Sequence, residues 1–235
     1  MNESSRIREH YWGPHEPMVD AVAALAGKGG AVLEVGPGQK PFRAATAFVD
    51  WQAWPQLADR PLHVLDINQE ALPFADKSFD FVYCRHTLED IYNPFWICRE
   101  MSRVGKAGYV EAPSPLAECC RGVDGGSPRW RGYHHHRYLI WVERDTLVFL
   151  PKWPMLEHLS FGETEAQMVA ILNSHPMFWN SYYFWEGSLR YRLLENGRDY
   201  HITDDYGRRI LQGSQDSYEH TKRIAARYLT EREYR

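Results

Sequence analysis

The stretch Val32-Leu33-Glu34-Val35-Gly36-Pro37-Gly38 decides the fold. It is an apolar run broken only by Glu34 and bounded by glycines, which is the pattern of a strand buried on both faces. The strand runs into a G-x-G turn, where glycines let the backbone approach a ligand closely. Upstream, Pro17 suits a first helical turn, and Met18, Val19, Val22, Ala23 and Leu25 form an apolar stripe, which predicts a helix over 16–26. Gly27, Gly29 and Gly30 stop it.

Downstream, four more strands are predicted: 47–49 ending in Asp50, 62–65 ending in Asp66, 79–84, and 108–112 ending in Pro113. Between the last two lies a helix with Asn93 as cap, Pro94 at its first position, an apolar side of Phe95, Ile97, Met101 and Val104, and Gly105 as its stop. Strands alternating with helices imply a doubly wound, mostly parallel α/β sheet, whose ligands sit outside the carboxyl ends of the strands. Residues 114–133, rich in glycine, read as a long loop of the kind that serves as a lid, with a helical turn at 116–120. A β-hairpin is predicted with strands at 137–142 and 147–150, a helix at 164–172, a second hairpin with strands at 182–185 and 189–194, and a last helix at 217–228.

Composition narrows the function classes. Lys and Arg number 27 against 31 Asp and Glu, so no global positive field is available to a nucleic acid. No apolar run approaches the roughly 20 residues needed to cross a bilayer, and the first residues lack the apolar core of a secretory signal, so a cytoplasmic protein with no membrane partner is expected. Four cysteines, two of them adjacent, are too few for a disulfide scaffold and read as free thiols. A length of 235 residues fits one domain, with a core of about 15–115 and 160–235 and the lid and hairpin inserted at about 114–160. The dense aromatics of residues 130–200 suggest added surface or a pocket wall, and a homodimer is a reasonable expectation.

The chemistry-bearing residues cluster at strand ends. Asp50 follows Gly38 by 12 residues, where a carboxylate can accept hydrogen bonds from both hydroxyls of a ribose, or can simply form a turn. Asp66, followed by Ile67, offers a carboxylate and an apolar surface to an adenine edge, with a turn role as its alternative. Glu34 is a charge inside an apolar strand, costly unless it is paired with an arginine or used at the site. His86, just past the fourth strand, is either a candidate base or a histidine that caps local backbone, while Glu89 and Asp90 read as surface acids at a helix end. His134 and His136 could face the cleft as alternate residues of an extended segment, and Arg129, Arg131, Arg137 and Arg144 could suit an anionic or sugar-like acceptor or form a solvated rim. Three successive histidines cannot all face one ion in an extended strand, so no metal site is expected. Tyr11 and Trp12, ahead of the first helix, could cover a bound ligand as a lid or simply pack as an N-terminal arm.

Taken in order, VLEVGPG, the strand-end Asp50, LDINQEALPFADKSFDFVYCRHTLEDI and REMSRVGKAGYVEAPS resemble the class I S-adenosylmethionine-dependent methyltransferases, in particular a small bacterial, type 11-like branch. The resemblance covers residues 30–115. It implies a Rossmann-like sheet of seven strands whose final strand is antiparallel, and S-adenosyl-L-methionine as cofactor. By position it places Gly36, Pro37 and Gly38 at the methionine part, Asp50 at the ribose and Asp66 with Ile67 at the adenine, with Glu34 and Arg85 in the same cofactor site. The implied activity is methyl transfer to an O or N atom of a small or sugar-like metabolite. Two alternatives are a catalytically inactive scaffold or partner subunit of this fold, and an NAD- or nucleotide-sugar-dependent enzyme. Against NAD, Pro41 stands where a dinucleotide fingerprint has its third glycine, and only a truncated or irregular crossover fits between Gly38 and Asp50.

Overall fold

The computed structural model describes residue 7, residues 13–28 and residues 30–234. Helix α1 (Glu16–Ala26) leads into β1 (Val32–Val35), whose four residues are all buried. Then come β2 (Ala47–Asp50), β3 (Leu62–Val64), β4 (Phe79–Arg85), α2 (Pro94–Val104), β5 (Gly105–Pro113) and α3 (Pro115–Cys119). The hairpin β6 (Tyr138–Glu143) and β7 (Thr146–Pro151), helix α4 (Glu163–Ser174), β8 (Asn180–Glu186), β9 (Tyr191–Leu193), α5 (Tyr206–Tyr228) and α6 (Glu231–Tyr234) complete the order.

Among the described residues the strands form one six-stranded sheet, β3-β2-β1-β4-β5-β8, and one three-stranded sheet, β6-β7-β9. All pairings in the first are parallel except β5 with β8. The implied seven-stranded sheet is therefore not formed. The predicted second hairpin fails because Gly187 and Ser188 release the chain from β8, and β9 then pairs in parallel with β7 through Leu147↔Tyr191. Alternation by two along a strand explains the separation: Tyr191 and Leu193 pack against the apolar face already offered by Leu147 and Phe149.

The main sheet divides the side chains of each strand between two layers. Leu33, Val35, Val49, Val82, Cys84, Val110 and Ala112 pack with α2 and with Ile140, Val142, Leu147 and Phe149 of the small sheet. Val32, Phe48, Phe81, Tyr83 and Tyr109 face the other way, against Met18, Val22 and Ala26 of α1 and Ile224 and Ala225 of α5. The far face of the small sheet, with Leu139, Trp141, Val148 and Leu150, packs in a third cluster with α3, α4 and the start of α5. The aromatic supply is largely spent in these layers: the exposed large hydrophobics are Trp51, Val64, Tyr92 and Trp153 among the described residues. All four cysteines are buried free thiols. Among the described residues no helix is long and apolar enough to cross a membrane.

The β1 to β2 connection positions the site. Residues 36–46, all described, contain no helix. Side chains hold the segment instead: Thr46 Oγ1 accepts from Val32 N at 2.9 Å and donates to Val32 O, and the Phe42 ring stacks on Tyr83 at 4.0 Å between centroids.

Candidate functional site

The site begins at Gly36. Its φ is +72°, and a Cβ there would lie 2.2 Å from Thr87 Oγ1, so a glycine is required on both counts. Gly36 N donates to Val49 O at 2.9 Å, which keeps the turn in register with β2. One residue beyond the pairs Val35↔Val49 and Val35↔Cys84, Gly36 stands level with Asp50 and Arg85, and the row continues through Arg85↔Glu111 and Glu111↔Tyr182. A line of polar groups thus crosses the carboxyl ends of β2, β4 and β5 and the amino end of antiparallel β8.

Glu34 lies one row below and is 3% exposed. Its Oε2 accepts from Phe42 N at 2.8 Å. Burial pushes its carboxyl up to about 8, only partly opposed by that hydrogen bond and by the charges of Arg60 and Arg85. Among the described residues Glu34 forms no ion pair with an arginine. Asp50, 3% exposed, accepts from Trp54 Nε1 at 2.8 Å through Oδ2. An open cleft of about 170 Å³ is lined by Glu34, Gly36, Pro37, Tyr83 and Arg85 together with Lys40, Phe42, Arg43 and residues of α1. Gly38, with φ +54° and open space at its Cβ position, continues the turn.

Asp66 stands apart from that cleft and is committed to its own turn. Its carboxylate accepts from Asn68 N at 3.0 Å and from Asn68 Nδ2 and Gln69 Nε2, hydrogen bonds that hold its pKa below the usual range. Ile67, 3% exposed, joins the apolar cluster of Val35, Leu72 and Ile97 behind the strand ends. Tyr11 and Trp12 lie outside the described residues.

His86 follows Arg85 with φ +49°, an unusual backbone conformation for its type. Its N–H donates to Glu111 O at 2.9 Å, and its Nε2 lies 3.0 Å from Asn180 Oδ1. Glu111 and Asn180 were not anticipated, although Glu111 is an acid inside an apolar strand just as Glu34 is. Burial disfavours the ionised Glu111, but Arg85 at 2.9 Å, His86 and the Tyr109 hydroxyl outweigh it and hold the carboxyl down to about 2. Asn180 Nδ2 is buried and has no hydrogen-bond partner among the described residues.

Glu89 corrects an expectation. It is 1% exposed rather than a surface acid, because the turn after His86 carries it inward, and burial raises its pKa. The histidine run corrects another. His134 and His135 occupy a turn, so His134 points outward to Asp124 Oδ2 at 2.9 Å while His136 turns inward to Glu118 Oε1 at 2.6 Å. The two do not share one cleft face. Lys152 pairs with the other oxygen of Glu118 at 2.5 Å. Burial works against the Glu118 anion, but Lys152 and His136 hold its carboxyl down to about 2. Arg131 is buried against Glu165 and the carbonyls of Cys119 and Leu159, so it supports the fold and is not part of a solvated rim.

The family model of the methyltransferase domain matches residues 21–110, the segment that builds the second half of α1, β1 to β4, α2 and most of β5. No curated protein matches the chain significantly. Among solved structures, an S-adenosylmethionine-dependent methyltransferase from Thermotoga maritima is 20% identical, with 43% of this chain and 53% of that one covered and a TM-score of 0.36. A second, from Aquifex aeolicus, is 19% identical over 49% of this chain and 75% of that one at a TM-score of 0.33. The YcgJ protein of Bacillus subtilis is 17% identical over 43% and 52%, again at 0.33. The chain thus spans about half the length of several solved structures it matches. The glycine turn, the strand-end acids and most of the parallel sheet fall inside the matched segment, so the likeness of residues 21–110 to methyltransferase domains, whose cofactor is S-adenosylmethionine, covers the part of the chain that builds the cleft.

Proposed function

We propose that the chain transfers a methyl group from S-adenosylmethionine to an oxygen or nitrogen of a small or sugar-like metabolite. The observation that carries this reading is the cleft at the end of β1, where a buried carboxylate, Glu34, faces a turn with no helix N-terminus behind it. A dinucleotide would lose the helix start that receives its pyrophosphate. A cofactor without phosphate and with a cationic ammonium fits better, because a cation is what a buried carboxyl near 8 lacks. Glu34 would orient that ammonium, the backbone of Gly36, Pro37 and Gly38 would flank the methionine part, and Asp50 would take the ribose hydroxyls beside Trp54. Arg85 would close the cleft on the β4 side, and Asp66 could reach the adenine edge only by giving up its hydrogen bonds from Asn68 and Gln69.

Bound S-adenosylmethionine supplies a methyl group already activated on a sulfonium. The chain then has to hold an acceptor in line, exclude water and, where the acceptor carries a proton, remove it. His86 is the base in this reading. With Nε2–H donated to Asn180 Oδ1, its Nδ1 is left to accept a proton, and Glu89 Oε1, 3.8 Å from that nitrogen, would stabilise the imidazolium.

The test is calorimetric titration with S-adenosylhomocysteine, with NADH as the control ligand. Micromolar binding of the first alone is expected, and an Asp50→Ala variant should weaken it roughly 10- to 100-fold, the cost of charge-assisted hydrogen bonds. Binding of NADH alone would favour the dinucleotide alternative, and unchanged affinity in the variant would remove Asp50 from the ribose. Binding without turnover across a panel of hydroxyl and amine acceptors would favour the scaffold.

A further inference from the structure

The histidine turn holds a second constellation. Turn geometry at His134 and His135, closed by His136 N donating to Tyr133 O at 3.2 Å, lets two successive imidazoles converge, which an extended strand would forbid. The rings of His135 and His136 lie 4.6 Å apart and nearly perpendicular. Asp90 Oδ1 is 3.5 Å from His135 Nε2 and 3.6 Å from His136 Nε2, and the three ligand atoms all lie within 4.8 Å of one another. Ligands at about 2.0–2.1 Å around a tetrahedral ion stand about 3.3 Å from each other. Two of the three separations are already close to that value, and His135, 54% exposed, is free to close the third.

The surroundings support the same assignment. His136 Nδ1 lies 2.6 Å from Glu118 Oε1, and Glu118 is held in turn by Lys152, so Nε2 is turned toward Asp90 Oδ1 at 3.6 Å. This is the carboxylate–histidine support that fixes the tautomer of a metal-bound imidazole. Either a proton or a metal ion can join Nε2 to the Asp90 oxygen, and a bound metal would displace the proton. Glu89, adjacent in sequence and within reach of the charges of His136 and Asp90, buries both carboxylate oxygens with no hydrogen-bond partner among the described residues.

We propose that Asp90, His135 and His136 bind a divalent transition-metal ion of the zinc type, with Glu118 positioning His136. Two imidazoles and one carboxylate suit borderline ions and leave at least one coordination position for water or substrate. The exposure of Asp90 and His135, 42% and 54%, puts that position at the surface. The overlapping group of Asp124, His134 and His135 is the weaker candidate, because Asp124 Oδ2 and His134 Nδ1 at 2.9 Å already satisfy each other as a hydrogen bond.

The experiment is titration of the chelator-treated full chain with Zn2+ by calorimetry, with Co2+ substitution to read the ligand set from its visible absorption. One equivalent at micromolar affinity or tighter is expected. Asp90→Ala and His135→Ala, both at exposed side chains and checked by thermal melting, should each weaken binding by 100-fold or more, since even the outer partner of a ligand is worth about 10- to 100-fold. His134→Ala should bind as the parent does. Failure to bind one equivalent, as would follow if His136 simply carries a proton between Glu118 and Asp90, overturns the proposal. So does binding that survives both Asp90→Ala and His135→Ala, or binding lost in His134→Ala but kept in Asp90→Ala. None of these readouts involves the methyl donor, so they stand or fall apart from the methyl-transfer reading.

Discussion

Replacing Glu34 with glutamine separates the energetic role of that carboxyl from its role in binding. In the folded protein burial raises Glu34 from its ordinary 4.5 to about 8, with Arg60, Arg85 and Asp50 the charged groups acting on it. The unfolded chain ionises near 4.5, so from there up to about pH 8 folding takes up a proton, and the stability contributed by this group falls as pH rises. Below 4.5 the group is neutral in both states and costs nothing; above 8 the cost is complete. At about 1.4 kcal/mol per pH unit the full effect is roughly 3–5 kcal/mol. Glutamine keeps an oxygen for the Phe42 N–H but does not titrate. Urea denaturation of both proteins from pH 4.5 to 9 should therefore show near equality at the acid end and a Glu34→Gln advantage growing by about 3–5 kcal/mol at the alkaline end. A difference that does not change with pH would refute the buried-carboxyl argument. If an ammonium group binds against Glu34, the affinity of the parent for S-adenosylhomocysteine should also climb toward pH 8, and the variant should lack that slope.

Gly36→Ala must place a side chain at φ +72° and against Thr87 Oγ1, and should lose roughly 2–4 kcal/mol in chemical denaturation. An unchanged midpoint would mean that the turn is not strained by a Cβ. Lys152→Met leaves Glu118 buried beside His136 alone and should cost about 3–5 kcal/mol at pH 7. Because Glu118 is held down to about 2 from its ordinary 4.5, this stabilisation is present above 4.5 and lost as pH falls toward 2, so the two proteins should converge near pH 3. Persistence of the full gap in acid would show that the lysine acts through packing.

What could be read in the sequence was what is local. The cap Asn93 with Pro94, the stripe of α1 and the alternation in β6 and β7 each specify an element from neighbouring residues, and each forms where expected. The helixless connection before Asp50 was legible too, from its length alone. What was not legible depends on residues far apart in the chain. Nothing near Tyr191 says that β9 will leave β8 and pair with β7, because that choice is made by the face the hairpin presents. Glu111 becomes part of the site only because β5 lies beside β4, and Asn180 only because β8 returns antiparallel across 66 intervening positions from Pro113, in the pair Pro113↔Asn180. The histidine run was read as extended, and a single turn reversed both its facing and its chemistry.

The placement of charge on the main sheet narrows what the fold is for. On the face toward α1 the row that holds Glu34 is otherwise aromatic, with Phe48, Tyr83, Tyr109 and Phe184, and the next row, at the carboxyl ends of β2, β4 and β5, carries Asp50, Arg85 and Glu111. Only Arg85 and Glu111 neutralise each other directly, and buried pairs of this kind seldom stabilise more than apolar residues of the same volume would. Glu34 is a net cost to the folded chain above pH 4.5. A face built for stability alone would continue the apolar rows to the strand ends. The cost falls instead on the rows that border the cleft, where a cationic ligand at Glu34 would recover it as binding energy. A ligand-free Glu34→Gln variant that is more stable and also binds S-adenosylhomocysteine more weakly would show both sides of that exchange in one side chain.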